Sequence, residues 1–325
     1  MKKLVAIVLL AVLLVGSGCS QKREDSSQVR VVLDWTPNTN HTGMYVALEK
    51  GWYAEEGLSV EIMQPPESSA LALIASGGGE VAVDFQESLG PAIASSNPLP
   101  VTAIAAVVQH NTSGIVSLKE TGIQSAADLC GKSFAAWSTP VVTETIRFIV
   151  EQDGGKFEDV EMIYDEVTDA VSALQTGVDS IWVYYAWDGM ATQLAGLDTN
   201  FLFLTDCDPV FDFYSPVLVA SNAWMEEHPD KVRAFLKATA RGYEFAIEHP
   251  QEAAEILLKH APELSRDLVV ESQKWLASQY KAEVSRWGEM DPERWSRFYH
   301  WMYERNLLER DLGTEGFTNE FLPGN

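Results

Sequence analysis

The sequence predicts an α/β protein made of two lobes with a ligand cleft between them. Short apolar, β-branched segments alternate with helical segments through the first two-thirds of the chain, which is typical of parallel sheets covered by helices. Two breaks in this rhythm, near Gly114 and Ser215, enclose one complete α/β unit. A chain that leaves one unit and later returns to it forms two lobes joined by two crossings, which predicts a hinge. Ligands of such folds bind outside the carboxyl ends of parallel strands.

The elements follow from local pattern, and they place residues 29–114 with 219–325 in lobe 1 and residues 115–218 in lobe 2. Glycines end several predicted helices, and prolines begin others. The predicted strands are 29–33, 58–63, 81–83, 101–108, 115–118, 133–137, 160–164, 180–185, 201–204 and 214–221. The predicted helices are 41–50, 68–76, 139–151, 167–177, 229–248, 250–259, 265–280 and 292–306.

The first residues predict export. Lys2 and Lys3 precede an uncharged apolar run, 4–15, which is shorter than a membrane span and is followed by small residues up to Cys19. Small residues before a cysteine resemble the lipobox of bacterial lipoproteins, although Gly16 stands where an aliphatic residue is usual. We therefore expect a signal peptide over 1–18 and a lipid on Cys19, with a simple cleaved signal as the alternative. The polar segment 19–28 is then a tether, and the protein is held at the outer face of the cell membrane or in a periplasm.

Composition narrows the function. The formal net charge is −24, whereas proteins that bind nucleic acid are basic, so a nucleic-acid partner is not expected. Beyond Cys19 the chain has only Cys130 and Cys207, which favours two free thiols over a disulfide, without excluding the pair. The six histidines show no metal-ligand spacing, and there is no nucleophile elbow, phosphate loop or dinucleotide fingerprint. We expect no metal, no cofactor and no enzymatic activity.

The most informative segment joins the first predicted strand to the first predicted helix. It places Asp34, Trp35, Asn38 and His41 at the carboxyl end of a strand, where polar groups surround one aromatic ring. Core packing does not require that density of polar groups, so we predict ligand contacts here. Within the same segment, residues 39–40 are equally compatible with helix capping.

A second aromatic segment ends a strand of the second unit. Alternation places Trp182 and Tyr184 on one side of the strand, where core packing and ligand contact are equally plausible, and Tyr185 on the other. We predict site roles for Tyr185, Trp187 and Asp188, because aromatic rings beside a carboxylate suit a flat heteroaromatic ligand with an exocyclic amine. Tyr214, at the second crossing, is predicted to act as a hinge or as a wall of the site.

Three segments together carry a resemblance to a known family. The segment 34–43, with its Asp-Trp-x-Pro-Asn-x-x-His pattern, is followed by Tyr-Val-Ala at 45–47 and by Lys-Gly-Trp-Tyr-Ala-Glu-Glu-Gly-Leu at 50–58. The chain thereby resembles the binding proteins for thiamine pyrimidine precursors, which share a domain with fungal thiamine-pyrimidine synthase. The resemblance implies a type II periplasmic-binding-protein fold, and a solute-binding component that delivers formylaminopyrimidine or hydroxymethylpyrimidine to the permease and ATPase of an ABC importer.

The resemblance also implies ligand contacts, carried over position by position. The loop at 137–139 differs from the glycine-rich stretch that many relatives have there, because Trp137 takes its place. Helix N–H groups are free at this loop to meet a polar ligand atom. The implied contacts are Asp34, Trp35, Asn38, His41, Glu87, Ser88, Trp137, Ser138 and Thr139.

Three alternatives stay open at this point. Flavin-binding relatives carry a very similar Asp-Trp core, so riboflavin is an alternative ligand. Nitrate and sulfonate binders share the 50–58 segment but lack that core, which makes an alkanesulfonate less favoured. The fungal synthase carries a cysteine-rich iron-site motif that is not found here, which disfavours an enzyme.

Overall fold

A computed structural model describes residues 27–67, 69–164 and 167–324. The predicted signal peptide, Cys19 and nearly all of the predicted tether lie outside the described residues. Within those residues, no helix has both the length and the apolar composition needed to cross a membrane.

Ten strands form two five-stranded sheets. The strands are β1 (Gln28–Val32), β2 (Ser59–Met63), β3 (Val81–Asp84), β4 (Val101–Ala106), β5 (Ser113–Leu118), β6 (Ser133–Ala136), β7 (Glu161–Tyr164), β8 (Ser180–Tyr184), β9 (Thr199–Phe203) and β10 (Val217–Ser221). The first sheet has the order β2-β1-β3-β10-β4, and the second has the order β7-β6-β8-β5-β9. The two orders are equivalent, so the lobes share one topology.

Helices cover both sheets and continue after the last strand. They are α1 (Thr42–Glu49), α2 (Trp52–Glu55), α3 (Ala70–Ala75), α4 (Gln86–Ala94), α5 (Pro140–Gln152), α6 (Ala170–Thr176), α7 (Met190–Leu194), α8 (Leu204–Cys207), α9 (Asn222–Glu227), α10 (Pro229–Glu248), α11 (Pro250–His260), α12 (Arg266–Leu276) and α13 (Pro292–Glu304). The α/β class predicted from the sequence is confirmed.

The expectation of wholly parallel sheets was wrong for one strand in each sheet. β10 pairs antiparallel with β3 and β4, and β5 pairs antiparallel with β8 and β9. Both exceptions are the first strand after a crossing between sheets. The chain enters each sheet on the side where the carboxyl ends of its parallel strands lie. The entering strand therefore runs antiparallel to them.

Two predicted boundaries also shift. The helix predicted over 265–280 ends at Leu276, and the chain continues in turns that bring Tyr280 under the first loop. The strand predicted from residue 214 begins at Val217, after a proline at 216 that cannot donate to a sheet ladder. Cys130 and Cys207 are both free thiols, as favoured from the sequence.

The two crossings run side by side and bond to each other. Val107 N donates to the Pro216 carbonyl at 3.0 Å. The Asn111 Nδ2 donates to the Phe211 carbonyl at 2.9 Å. His110 has a carboxylate at each ring nitrogen, with Asp212 2.9 Å from Nδ1 and Glu283 2.8 Å from Nε2. The hydrogen bond to Asp212 raises the pKa of His110. The two segments that link the lobes are therefore joined by a backbone hydrogen bond, an asparagine side-chain hydrogen bond and a histidine–aspartate contact.

Helix α1 packs on α10 through two glycines. A Cβ on Gly242 would lie 1.9 Å from the backbone oxygen of Gly43, and a Cβ on Gly43 would lie 2.3 Å from the ring of Tyr243. The Gly43 backbone cannot move aside for the first methyl group, and the Tyr243 ring is fully buried, so both positions require glycine for close packing. This contact fixes the helix that follows the Asp34–His41 loop.

We predict that Gly242→Ala lowers the free energy of unfolding by about 1–3 kcal/mol, because the new methyl group forces α1 and α10 apart. Urea denaturation followed by circular dichroism measures the change. Gly324→Ala is the control, since nothing lies within 4 Å of its added Cβ. Equal stabilities of the two variants would contradict this account of the packing.

Candidate functional site

The pairing registers bring the carboxyl ends of both sets of parallel strands to the same region. Val217, the first residue of β10, pairs with Asp84 at the end of β3. Ser113, the first residue of β5, pairs with Tyr184 at the end of β8. The ends of both crossings therefore lie beside the carboxyl ends of β3 and β8. The side chains that follow β3 and β8 meet between the lobes.

The loop between β1 and α1 is organised around one hydrogen bond between a histidine and a carboxylate. His41 Nε2 lies 2.7 Å from Asp34 Oδ1, and both side chains are almost fully buried. The backbone N–H of Asn38 donates to His41 Nδ1 at 3.2 Å. Because Nδ1 accepts this bond, the ring proton is on Nε2 and is donated to Asp34. His41 is therefore a neutral imidazole, and its Nε2–H orients the Asp34 carboxylate.

Asn38 caps the short helical turn, a role that the sequence reasoning considered for its neighbours. Its Oδ1 accepts from the Asn40 N–H at 2.9 Å, and its Nδ2 donates to the Thr36 carbonyl at 3.1 Å. Both ends of the amide are engaged, so a ligand contact by Asn38 would require these bonds to rearrange. Thr39 Oγ1 lies 2.5 Å from Ser272 Oγ, on α12.

The C-terminal helices hold this loop in place. The hydroxyl of Tyr280 donates to the Thr39 carbonyl at 2.6 Å, and that of Tyr243 donates to the Asn40 carbonyl at 2.6 Å. Both tyrosines are fully buried. The loop backbone is therefore fixed by lobe 1 itself, independently of any contact with the other lobe.

Trp35 differs from the other large side chains of the loop. It is half-buried, and among the described residues no hydrogen bond or ring contact to it is found. A large, partly exposed aromatic ring beside the buried Asp34–His41 hydrogen bond suits a ligand-facing position.

Two further carboxyl groups follow β3. Asp84 ends the strand and accepts a hydrogen bond at 2.8 Å from the Phe85 N–H, and Glu87 lies in the first turn of α4. Burial, with a smaller contribution from Asp34 nearby, raises the pKa of Asp84 to about 7. Burial likewise raises the pKa of Glu87 to about 8, with Asp84 adding to the effect. Glu87 Oε2 is buried and has no hydrogen-bond partner among the described residues.

Gln86, between the two acids, anchors this turn. Its Oε1 accepts from the Tyr214 N–H at 3.0 Å, its Nε2 donates to the Trp295 carbonyl at 3.0 Å, and its own carbonyl accepts from the Tyr299 hydroxyl. These bonds connect the start of α4 to the second crossing and to α13.

Lobe 2 places Tyr184 against these acids. Its ring stacks on Phe85, with centroids 5.9 Å apart, and lies 6.3 Å from the ring of Trp137. Its hydroxyl is 3.2 Å from Ser215 Oγ. Burial raises the pKa of Tyr184 well above its ordinary value, and the carboxylates of Glu87, Asp34 and Asp84 raise it further. Tyr184 and three acids of lobe 1 therefore share one space between the lobes.

The predicted residues that follow Tyr184 contact the helices of lobe 1. Tyr185 packs on Phe201, Phe203 and, across the lobes, on Trp275 of α12, with centroids 4.9 Å apart in the last pair. Trp187 packs against the cluster around Leu257. Burial raises the pKa of Asp188 to about 7. Ligand contacts by Tyr185, Trp187 and Asp188 stay predictions. In the structure, Tyr185 and Trp187 pack against helices of lobe 1.

The remaining predicted residues divide between the cleft and the scaffold. Ser88 is exposed, one residue after Glu87, and Ser138 is exposed next to Trp137. Thr139 caps α5, accepting from the Val142 N–H at 3.2 Å. Tyr214, on the second crossing, is buried against lobe 1, where its hydroxyl accepts from the Asp291 N–H at 2.7 Å.

Asp84, Phe85 and Tyr184 were missed as site residues or left undecided by the sequence reasoning. Asp84 stands where Asp34 stands, directly at the carboxyl end of a buried strand, and that shared position is the signal that could have identified it. No group of three or more metal-ligating side chains is found in the described part of the chain.

This fold occurs in solved structures of binding proteins. The periplasmic nitrate-binding protein NrtA from Synechocystis superposes with a TM-score of 0.69, covering 91% of this chain and 87% of the other at 16% identity. The chain thus has the two-lobed fold of the periplasmic binding proteins, with its acidic and aromatic residues between the lobes.

Sequence comparison identifies the family. The profile described as NMT1/THI5 like matches residues 38–253, and the chain belongs to this family. It is 30% identical, over 95% of both chains, to the formylaminopyrimidine-binding protein of Halalkalibacterium halodurans. It is 25% identical to the riboflavin-binding protein RibY of Chloroflexus aurantiacus, covering 91% of this chain and 86% of RibY. A 4-amino-5-hydroxymethyl-2-methylpyrimidine phosphate synthase of Legionella pneumophila is 27% identical, covering 74% of this chain and 76% of the synthase.

We predict that Glu87→Gln stabilises the protein without ligand by about 1–3 kcal/mol at pH 8 and by much less at pH 5. The raised pKa of Glu87 means that its contribution to stability is complete below about pH 4.5 and is lost as pH rises through about 8. Glutamine has no proton to lose, so its contribution does not fall. Thermal unfolding of both proteins across this pH range measures the difference, and parallel curves would contradict the assignment.

Proposed function

We propose that this protein is the solute-binding component of an ABC importer and captures a thiamine pyrimidine precursor between its lobes. The observation that supports this most directly is the interlobe space bounded by Asp34, Asp84 and Glu87 on one side and by the ring of Tyr184 on the other. Carboxyl groups accept hydrogen bonds from an exocyclic amine, and aromatic rings stack on a flat heterocycle. The formylaminopyrimidine-binding relative, which matches nearly the whole chain, supports the same ligand class.

In this proposal, lobe 1 supplies the polar recognition. Asp34 uses Oδ1 for His41, which leaves its second oxygen for a donor on the ligand. The Trp35 ring provides an apolar face beside that carboxylate. Because the tyrosines of α10 and the segment after α12 fix this loop, the recognition groups are preorganised before the lobes close.

Lobe 2 supplies closure. Residues 115–218 form the unit that we propose to move as a body against residues 29–114 and 219–325, with the bonded crossings as the hinge. Tyr184 travels with lobe 2 and Phe85 stays with lobe 1, so a ring inserted between the lobes contacts both. The ligand then favours the closed state by its differential affinity, and the importer recognises that state.

We also propose that the protein is exported, carries a lipid on Cys19 and is not an enzyme. The charged and small-residue pattern of 2–19 supports export and lipidation. The binding proteins among the relatives and solved structures support a binding role, although pyrimidine phosphate synthases occur in the same family. Turnover of a pyrimidine compound by the purified protein would contradict the binding role.

The test of the ligand class is a thermal-shift panel. Formylaminopyrimidine, hydroxymethylpyrimidine, thiamine, riboflavin and taurine are each added to the purified protein, since a ligand at about 100 times its Kd adds about 2.7 kcal/mol. We expect a shift with a pyrimidine. A shift with riboflavin alone would assign flavin uptake, which the RibY relative makes the second candidate. A shift with taurine alone would overturn the heteroaromatic site.

We predict that Trp35→Ala weakens binding of the pyrimidine about 10- to 100-fold, because the ring stacks on the ligand but packs on no core cluster. Isothermal titration calorimetry measures the affinity, and the melting temperature without ligand should stay nearly unchanged. Tyr303→Ala is the matched control, because that ring is 44% exposed on α13. Wild-type affinity in Trp35→Ala would remove Trp35 from the site.

A further inference from the structure

Glu87 has an unusual environment for an acid. It lies in the first turn of α4, and its Oε2 is buried with no hydrogen-bond partner among the described residues. A buried polar atom without a partner costs free energy, so such an atom in a ligand site calls for a donor or a proton. Asp84, three residues earlier, lies close enough to raise the pKa of Glu87.

The groups that face this pair supply no positive charge. Asp34 comes from the β1–α1 loop, and its partner His41 is neutral because Nδ1 accepts the Asn38 N–H. Tyr184 reaches the pair from lobe 2 and Tyr299 from α13, and burial raises the pKa of both hydroxyls well above the ordinary value. Neither tyrosine therefore ionises near neutral pH.

Burial, together with repulsion from neighbouring carboxylates, keeps a proton on the pair. The pKa of Asp84 is raised to about 7 and that of Glu87 to about 8, in each case chiefly by burial. Two acids so close together do not both ionise at neutral pH, because like charges in a site with little water repel each other. At least one carboxyl group remains a hydrogen-bond donor.

We propose that Asp84 and Glu87 determine specificity by holding a shared proton for the ligand, so that the site takes an uncharged amino-heterocycle and rejects its phosphorylated form. This inference rests on the proposed function, whose ligand it defines more narrowly. It adds a proton requirement and a charge requirement to the shape and stacking already described.

The chemistry of the ligand edge supports a proton requirement. An aminopyrimidine presents a ring nitrogen that accepts and an adjacent amine that donates. A protonated carboxyl group complements both, since its O–H donates to the nitrogen and its other oxygen accepts from the amine. If the proton moves to the ring nitrogen, the complex contains the same number of protons. Once the pair is fully ionised, the carboxylates offer only acceptors to the ring nitrogen.

The same groups oppose an anion. A phosphate ester on the heterocycle would bring negative charge into a space that Asp34, Asp84 and Glu87 surround. Repulsion between buried charges is only weakly screened by water and salt, so these carboxylates should strongly disfavour a phosphate in the site. An importer served by this site therefore takes up the alcohol or amine form, and phosphorylation of the ligand has to follow uptake.

The test is calorimetric titration of the purified protein with 4-amino-5-hydroxymethyl-2-methylpyrimidine from pH 6.5 to 9.5. The ring nitrogen of an aminopyrimidine takes up a proton only toward the acid end of this range, so a decline above pH 8 reports on the protein. We expect constant affinity up to about pH 8 and then a decline of about tenfold per pH unit, with proton uptake on binding above pH 8. Proton uptake is measured by repeating the titration in buffers of different ionisation enthalpy. The phosphate ester of the compound should bind at least about 100-fold more weakly at pH 7.5.

Variants separate Glu87 from other titrating groups. Glu87→Gln keeps a donor and an acceptor but cannot lose a proton, so its affinity should not fall between pH 8 and 9.5, and its proton uptake should vanish. Glu120→Gln, at an exposed residue of lobe 2, should show the wild-type decline. Asp84→Asn should lower the pH at which affinity begins to fall, because it removes a charge that adds to the effect of burial on the pKa of Glu87.

Three results would overturn the inference while leaving the proposed function intact. These are a flat wild-type profile, a wild-type decline that persists in Glu87→Gln, and equal affinity for the alcohol and its phosphate. If the wild-type protein binds none of the heteroaromatic compounds at any pH, the proposed function itself fails, and this inference fails with it.

Discussion

The structure depends on how the chain passes between its two sheets. Each crossing leaves one sheet at the carboxyl ends of its parallel strands and enters the other sheet at the same kind of edge. The strand that enters must then run antiparallel, as β5 and β10 do. This requirement turns the carboxyl ends of both sheets toward each other, and it pairs Val217 with Asp84 and Ser113 with Tyr184. The topology of the two sheets therefore determines where the ligand space lies, and the side chains determine what it can bind.

A site made this way needs its loops held by something other than the sheets. The C-terminal helices and the segment after α12 supply that support through buried tyrosine hydroxyl groups. Tyr243 and Tyr280 donate to the loop after β1, and Tyr299 donates to the turn after β3. Each bond ties a backbone carbonyl of the loop or turn to a buried tyrosine of the C-terminal segment. The helices after β10 thus do more than cover the sheet, because they fix the loops that carry Asp34 and Glu87.

Much of this arrangement could be read from the sequence. Alternation of strands and helices predicted the two lobes, the polar segment after the first strand predicted ligand contacts at Asp34, and the family resemblance implied Glu87. Strand direction could not be predicted, because an apolar run such as 217–221 has the same pattern whether it runs parallel or antiparallel. Which face of the 184–185 pair meets the acids could not be predicted either. That choice depends on Trp275 and the cluster around Leu257, which come from a distant part of the chain.

The adjacent residues Tyr184 and Tyr185 connect ligand binding to lobe contact. Tyr184 stacks on Phe85 beside the acids, and the Tyr185 ring lies 4.9 Å from the ring of Trp275 on α12 of lobe 1. One short strand end therefore contributes both to the ligand space and to the interlobe packing. A ligand that improves the Tyr184 contacts only when the lobes are together also favours the Tyr185 contact, because the two rings move on one backbone. Binding and closure are then two descriptions of one equilibrium, and substitutions at either tyrosine should shift both.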